Sequence, residues 1–370
     1  MMSSRPSILL GIESSCDETA AAIVCAEAGR VRVLSDVVST QHELHERYKG
    51  VVPEIASRAH VERILPVMRM AFDDAHLGYR DLDAIAVGHR PGLIGSLLVG
   101  TSAAKALAWS LERPLIGVDH VVAHLFAGLL DRDPCRFPAL GLVVSGGHTS
   151  LFLVHDPLRL ELLGRTIDDA IGEAFDKAAT MLGLGYPGGP LVDRLAASGN
   201  DTAIELPIAA LGRDADGERR LDVSFSGLKT ALLYAVRGVP ERRVRGTPRG
   251  QPPVYQRSAA DLTDAARADL AASFQRAAVV GVMKVVERAL DRHPHLGTLL
   301  VGGGASANTR LRRELTELAA ARGLDLRLPP MRWCIDNAAM IAGYGAYRFA
   351  AGECDGLGLA PQPVSGIASR

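Results

Sequence analysis

The sequence predicts an α/β protein of two related lobes facing each other across a cleft, and three observations predict it. Its 370 residues, 48% of them hydrophobic, exceed what one core usually fills, since single cores stop growing at roughly 250 to 300 residues. The opening stretch "ILLGIESSCDETAAAIVCAEAGRVRVLSDVVS" reads as strand, polar turn, strand, Gly, strand, and that order returns in "ALGLVVSGGHTSLFLVHDPLRLELLG". Around both openings, short apolar strand patterns alternate with helical ones.

In the first half, helical periodicity runs from about Val52 to Ala75, followed by the strand "AIAVG", a Gly/Pro-rich loop and a helix from about Gly95 to Leu111. "PLIGV" is the next strand, with Asp119 placed as the N-cap of a helix that begins at His120. The Pro-bearing "RDPCRFP" closes this half near residue 135. The second half continues through helices in "GEAFDKAATMLG" and "PLVDRLAASG", joined by "YPGGP", and a helix in "GLKTALLYAV". Residues 237–258, "RGVPERRVRGTPRGQPPVYQRS", read as an exposed, flexible insertion. A helix over about 264–290, the strand "TLLVGGG" and one more helix complete it, giving expected lobes of 1–135 and 136–330. Within 331–370, "DNAAMIAGYGAYRFAAG" is a helix expected to return to the first lobe.

Forty-one Lys and Arg against 42 Asp and Glu leave a formal net charge of -1. No global positive field recruits nucleic acid or an anionic membrane, so any RNA contact has to be local. Cys16, Cys25, Cys135, Cys334 and Cys354 form no C-x-x-C pair, which fits a reducing compartment and offers no structural zinc cluster. The apolar stretch before Glu13 is too short for a signal peptide, and no run is read as approaching the roughly 20 apolar residues of a membrane span. A soluble cytoplasmic protein without a membrane partner is expected.

"VDHVVAHL" places His120 and His124 four apart, on one face of a helix, where neutral imidazoles suit zinc or iron. The same spacing serves H-E-x-x-H metalloproteases, but the position of their general base is Val121 here. By spacing alone, two such histidines are more often capping or core residues than ligands. Asp336, in "CIDNAAM", offers a carboxylate at an expected helix N-cap; with the histidines it would make a two-histidine, one-carboxylate set with open positions. "LVVSGGHTS" is either a hairpin turn or a bare backbone that admits phosphate. "TLLVGGGASANTRLRREL" runs from strand through glycines to a helix, with Asn308 near its start, a junction that favours nucleotides without matching Rossmann or Walker spacing. In "IDDAIGEAFDKAATMLGLGYPGGP", Glu173 and Lys177 form an i, i+4 pair and Asp176 is left over, while Gly188 and Gly189 leave backbone bare before Asp193. Glu13, Asp17 and Glu18 crowd one turn, either solvating it or helping to hold a metal and phosphates.

In order and spacing, "GIESSCDETAAAI", "VPEIASRAHVERI", "PGLIGSLLVG", "DHVVAHL", "LVVSGGHTSLF", "DDAIGEAFDKAATMLGLGYPGGP", "VSFSGLKTAL", "GGGASANTRLR" and "DNAAMIA" resemble the tRNA N6-adenosine threonylcarbamoyltransferases, formerly described as O-sialoglycoprotein endopeptidases. The resemblance covers nearly the whole chain. It implies the duplicated fold of actin, sugar kinases and heat-shock chaperones, two lobes around a nucleotide cleft. It implies a metal, iron(II) or zinc, on His120, His124 and Asp336, and contacts to threonylcarbamoyl-adenylate from Val143, Val144, Ser145, Gly146, Gly147, Asp176, Gly189, Asp193 and Asn308. It also implies tRNA as acceptor, and helper proteins that in bacteria are a non-catalytic paralogue and a small ATPase. No catalytic acid or base is assigned. Arg242, Arg243, Arg245 and Arg249 are candidates for local phosphate contacts, or simply a solvated loop. Two departures stand out: His89-Arg90-Pro91-Gly92 where the family usually has Gly-Pro-Gly, and Ile335 where it has Thr. The rival readings are a metalloendopeptidase, a small-molecule kinase of the same fold and a non-catalytic scaffold; the histidine pair argues against the last.

Overall fold

A computed structural model describes residues 5–48, 50–209, 211–213, 217–240 and 254–366. Strands β1 (Ser7–Glu13), β2 (Glu18–Glu27) and β3 (Arg30–Thr40) form an antiparallel meander, and β4 (Ala84–Arg90) and β5 (Leu115–Asp119) add in parallel beyond β1, giving the order β3-β2-β1-β4-β5. The second sheet repeats this strand for strand. Its meander is β6 (Ala139–Val144), β7 (Thr149–Asp156) and β8 (Arg159–Arg165), with β9 (Thr298–Gly302) and β10 (Asp325–Arg327) parallel beyond β6. The duplication read from the two openings is therefore a duplication of topology.

The helices of the first half are α1 (His42–His45), α2 (Pro53–Ala75), α3 (Ile94–Leu111) and α4 (His120–Phe126); the second half adds α5 (Ile171–Met181), α6 (Gly188–Ala196), α7 (Ser226–Arg237), α8 (Asp264–Arg292), α9 (Thr309–Arg322) and finally α10 (Ala338–Ala350). Strand alternation sorts them. On β1 and β2, Leu10, Ile12, Ala21 and Ile23 face α2 and α3, while Leu9, Ala20, Ala22 and Val24 face the other way into a core shared with the second sheet. That shared core holds α4 and α10. All seven residues of α4 are buried, and Ala338 to Ala346 of α10 form an unbroken buried run. Helices apolar on every side are stable only when covered on every side, and here one sheet covers each flank.

Close backbone approach makes this filling possible. A Cβ on Gly11 of β1 would collide with the Ala338 carbonyl at the start of α10, and a Cβ on Gly302 of β9 would collide with the His124 carbonyl of α4. One glycine in each sheet thus seats one of the two central helices.

Some elements differ from expectation. β4 continues through His89 and Arg90, which had read as loop, while the short α1 and β10 had no periodic signal to announce them. α3, with 18 residues, is long and apolar enough by length and composition to cross a membrane, which corrects the expectation that no run approaches that length. Its Leu97, Gly100, Thr101, Ala104 and Ala108 are buried along a face that packs on β4 and α2. Of the expected insertion 237–258, residues 241–253 lie outside the described residues.

Candidate metal centre and glycine-lined cleft

Asp119 starts α4 as expected: its Oδ1 accepts from the backbone N–H groups of Val121 at 3.1 Å and Val122 at 3.4 Å. From that start the His120 and His124 rings come to face each other, centroids 4.6 Å apart at 79°. Asp336 does not cap α10, as had been expected. The adjacent Asn337 does, accepting from Met340 N at 2.9 Å, which frees the Asp336 carboxylate. Asp336 Oδ1 lies 3.3 Å from His120 Nε2 and 3.2 Å from His124 Nε2, and one ligand atom from each of the three residues lies within 4.8 Å of the others. Both ring nitrogens of His124 are buried without a hydrogen bond, the Asp336 contact being close but poorly aligned. A buried imidazole left unsatisfied is costly unless something ligates it. The donor set fits a divalent ion of the zinc or iron class. Val121, between the histidines, is buried in the apolar core, so the position that serves as base in a zinc protease faces away from any such ion.

Behind His120 stands a residue the sequence left among three crowded acids. Glu13 is fully buried at the end of β1; its Oε2 accepts from His120 Nδ1 at 3.0 Å, while its Oε1 accepts from Ser15 N at 2.5 Å. This carboxylate fixes the tautomer that presents Nε2 to the cluster. Burial opposes charge on His120, but Asp336 and Glu13 outweigh it and raise its pKa well above the ordinary value. Burial lowers the pKa of His124. Burial would raise the Asp336 carboxyl, yet the two imidazoles hold it far below the carboxylate range. His148 is pushed down to about 4, by burial first and then by His120 and His124. Glu13→Gln is expected to weaken divalent-metal affinity by about 10-fold or more. Competition against a chromophoric chelator reads this directly, and an unchanged affinity removes Glu13 from the orienting role.

The residues expected to meet the adenylate fall into three neighbourhoods. Val143 and Val144 end β6 with their side chains in the core, so only their backbone can meet a ligand. The turn that follows is closed by Ser145 N donating to His148 O at 2.7 Å and His148 N donating to Ser145 Oγ at 3.1 Å. A Cβ on Gly146 or Gly147 would meet nothing within 4 Å, so packing does not require either glycine and both stay open to the cleft. In the second neighbourhood Asp176 Oδ1 accepts from Gly188 N at 2.7 Å, and burial raises its pKa. Gly188 is needed for packing, since its Cβ would lie 2.6 Å from Ala179 Cβ, whereas Gly189 is open. In the third, Asn308 caps α9 through Leu311 N at 3.0 Å and donates to Asp193 Oδ1 at 3.2 Å; Gln275 Nε2 and Thr309 Oγ1 also donate to Asp193. Beside them lies a cavity of about 600 Å³ whose lining includes Asp193, Gln275, Thr309, Arg310 and Arg313. The expected pair Lys177–Glu173 is present at 2.8 Å, joined by Asp169 at 2.7 Å.

The departures acquire partners. Gln362 N donates to His89 O at 2.8 Å, and His89 Nδ1 lies 3.1 Å from Ala360 O. Arg90 Nε lies 3.3 Å from Asp119 Oδ2, which also accepts from Ser365 Oγ at 2.8 Å and Gly366 N at 2.9 Å. The C-terminal segment thus fastens His89, Arg90 and the cap of the histidine helix together. Ile335 is 47% exposed and points its side chain away from the core, while its carbonyl accepts from Asn337 Nδ2 at 2.8 Å.

Fold and site together define a duplicated actin-like α/β protein with open glycine turns and a two-histidine, one-carboxylate cluster between its sheets. A crystal structure of T. kodakarensis HypF matches it with a TM-score of 0.56 at 16% identity, covering 92% of this chain and 48% of HypF. Full-length HypF in the phosphate- and nucleotide-bound form matches with the same TM-score of 0.56 at 12% identity, over 94% of this chain and 57% of that one. The family model of the tRNA N6-adenosine threonylcarbamoyltransferases matches residues 32–343. Proteins of that name from Symbiobacterium thermophilum and Clostridioides difficile are 49% and 44% identical, over 97% and 96% of this chain and 97% of each relative. The chain belongs to the tRNA N6-adenosine threonylcarbamoyltransferase family.

Proposed function

We propose that this protein transfers the threonylcarbamoyl group of L-threonylcarbamoyl-adenylate to the exocyclic amine of the adenosine 3′ of the anticodon, in tRNAs that read codons starting with A. The reading is carried by the convergence of His120, His124 and Asp336 beside open glycine turns in a chain of this family. In the reaction the amine nitrogen bonds to the carbamoyl carbon and releases one proton, the bond from that carbon to the phosphate oxygen breaks, and AMP leaves. An iron(II) or zinc ion would be held by His120, His124 and Asp336 and would supply Lewis acidity toward a substrate oxygen. Glu13 holds His120 in register for that ion. Ser145 N is already engaged within its turn, so the backbone N–H groups left to stabilise charge on the departing phosphate are those of Gly146 and Gly147. Asp176, Gly189, Asp193 and Asn308 bind the nucleoside part, Asp193 and Asn308 acting as one hydrogen-bonded unit. The acceptor adenosine lies in a single-stranded loop, where unstacking costs least.

We assign residues 1–135, together with 331–370, to one lobe and 136–330 to the other, in keeping with the packing of α10 on β1 and β2. Helper proteins fit an exposed apolar set on the adjacent helices α2 and α3, where Val61 and Leu65 stand four apart, as do Ile94 and Leu98. Arg242, Arg243, Arg245 and Arg249, candidates for tRNA phosphate, lie outside the described residues. Cytoplasmic activity follows from the substrate. The test is nucleoside analysis of tRNA from a depletion strain complemented with wild type or His120→Ala. Threonylcarbamoyladenosine is expected to fall on depletion and to return only with wild type; an unchanged level on depletion overturns the assignment.

A further inference from the structure

The acidic turn between β1 and β2 does not solvate itself: Asp17 and Glu18 are only 6% and 7% exposed. Glu18 pairs with Thr40 in the β2–β3 ladder, and Gln41 N donates to Asp17 O at 3.0 Å, which brings His42 over both acids. His42 Nε2 lies 3.4 Å from Glu18 Oε1 and 3.9 Å from Asp17 Oδ2, and one ligand atom of each of the three lies within 4.8 Å of the others. Among the described residues no Lys or Arg forms an ion pair with either carboxylate. Asp17 Oδ2, the oxygen facing His42, is buried without a hydrogen-bond partner. Two adjacent buried carboxylates repel, and one partly exposed imidazole cannot satisfy both.

We propose that Asp17, Glu18 and His42 form a second divalent-cation site that shares no ligand with the His120, His124 and Asp336 cluster. Two carboxylates with one imidazole suit a cation of the Mn²⁺ class, harder than the zinc or iron expected at the histidine pair. Left without a cation, burial raises the Glu18 carboxyl to about 8, despite its hydrogen bond to His42. The site faces the second sheet's side of the cleft: the Tyr186 ring, just before the Gly188 and Gly189 turn, stands edge-on to His42 at 6.5 Å between centroids. Its role rests on the transferase reading: a cation here would place positive charge against an anionic group of the acyl-adenylate spanning the cleft.

The test measures the metal alone. In full-length protein carrying His120→Ala and His124→Ala, Mn²⁺ titration followed by electron paramagnetic resonance is expected to show one bound ion per chain. Adding Asp17→Asn and Glu18→Gln should abolish that binding, and adding His42→Ala instead should weaken it by about tenfold. Mn²⁺ should raise the melting temperature of the histidine-pair variant but not of its amide derivative. No bound Mn²⁺ in the histidine-pair variant, or undiminished binding in the amide derivative, overturns the site. Should the amide derivative fail to fold, His42→Ala decides: unchanged Mn²⁺ affinity there also overturns it. Because transferase activity is not the readout, failure here leaves the transferase assignment standing, and failure of that assignment leaves the cation site standing.

Discussion

His124→Ala is expected to yield a folded protein that carries no metal at the histidine cluster and transfers threonylcarbamoyl at least about 100-fold more slowly. The fold should survive because Ala is the best helix former and because the substitution removes two buried ring nitrogens that have no hydrogen bond. Against that gain stands the cavity left in a helix whose seven residues are all buried. These terms oppose each other, so the melting temperature should move little. The metal, by contrast, would lose one of three protein ligands, and His120 and Asp336 would remain as a simple ion pair at 3.3 Å. Elemental analysis of protein purified under chelator-free conditions, with tRNA nucleoside analysis in parallel, checks both halves. A His124→Ala protein that keeps its metal stoichiometry would contradict the ligand assignment.

Gly302→Ala should do the reverse, costing stability first and chemistry as a consequence. The added methyl would be driven into the His124 carbonyl, and neither partner can yield, since β9 is pinned between β6 and β10 and α4 is enclosed in the shared core. Overpacking of backbone on backbone is expected to cost about 3 kcal/mol or more, with metal affinity falling as His124 is displaced. Gly147→Ala is the control. Its methyl meets nothing within 4 Å, so chemical denaturation should show it close to wild type in stability. If the two variants unfold at the same denaturant concentration, close approach is not what Gly302 provides.

Much of this architecture was legible because it is local. Short apolar strands broken by polar turns and glycine announced the meanders, helical spacing announced α2, α3 and α8, and Asp119 before His120 announced the start of α4 at the correct residue. The histidine pair was legible for the same reason, being one turn of one helix. Its partners were not legible from spacing, and Asp336 was tied to the pair only through the family resemblance. Asp336 and Asn337 are adjacent residues equally able to cap, and only the backbone at the start of α10 decides that Asn337 caps and Asp336 turns to the histidines. Glu13 reaches His120 across 107 residues of sequence, through the pairing of β1, β4 and β5. Nothing in the spacing of either residue encodes that meeting. The C-terminal contacts to His89 and Asp119 are equally silent in sequence, because Gly, Ser and Gln in a tail carry no periodicity.

His120 and His124 ride on α4, which follows β5 directly and packs on α10 as well as on β6 and β9, while Asp336 stands two residues before α10, which lies against β1 and β2. All three candidate ligands thus lie in the lobe assigned to 1–135 and 331–370, like pins set in a single plate. A cation seated there would tie α4 to the start of α10 within that plate, so a swing of the other lobe need not stretch any bond to the ligands. Ligand geometry and cleft angle are then separate coordinates, and a spectroscopic probe of a metal held there would report on the plate itself rather than on how far the jaws stand apart.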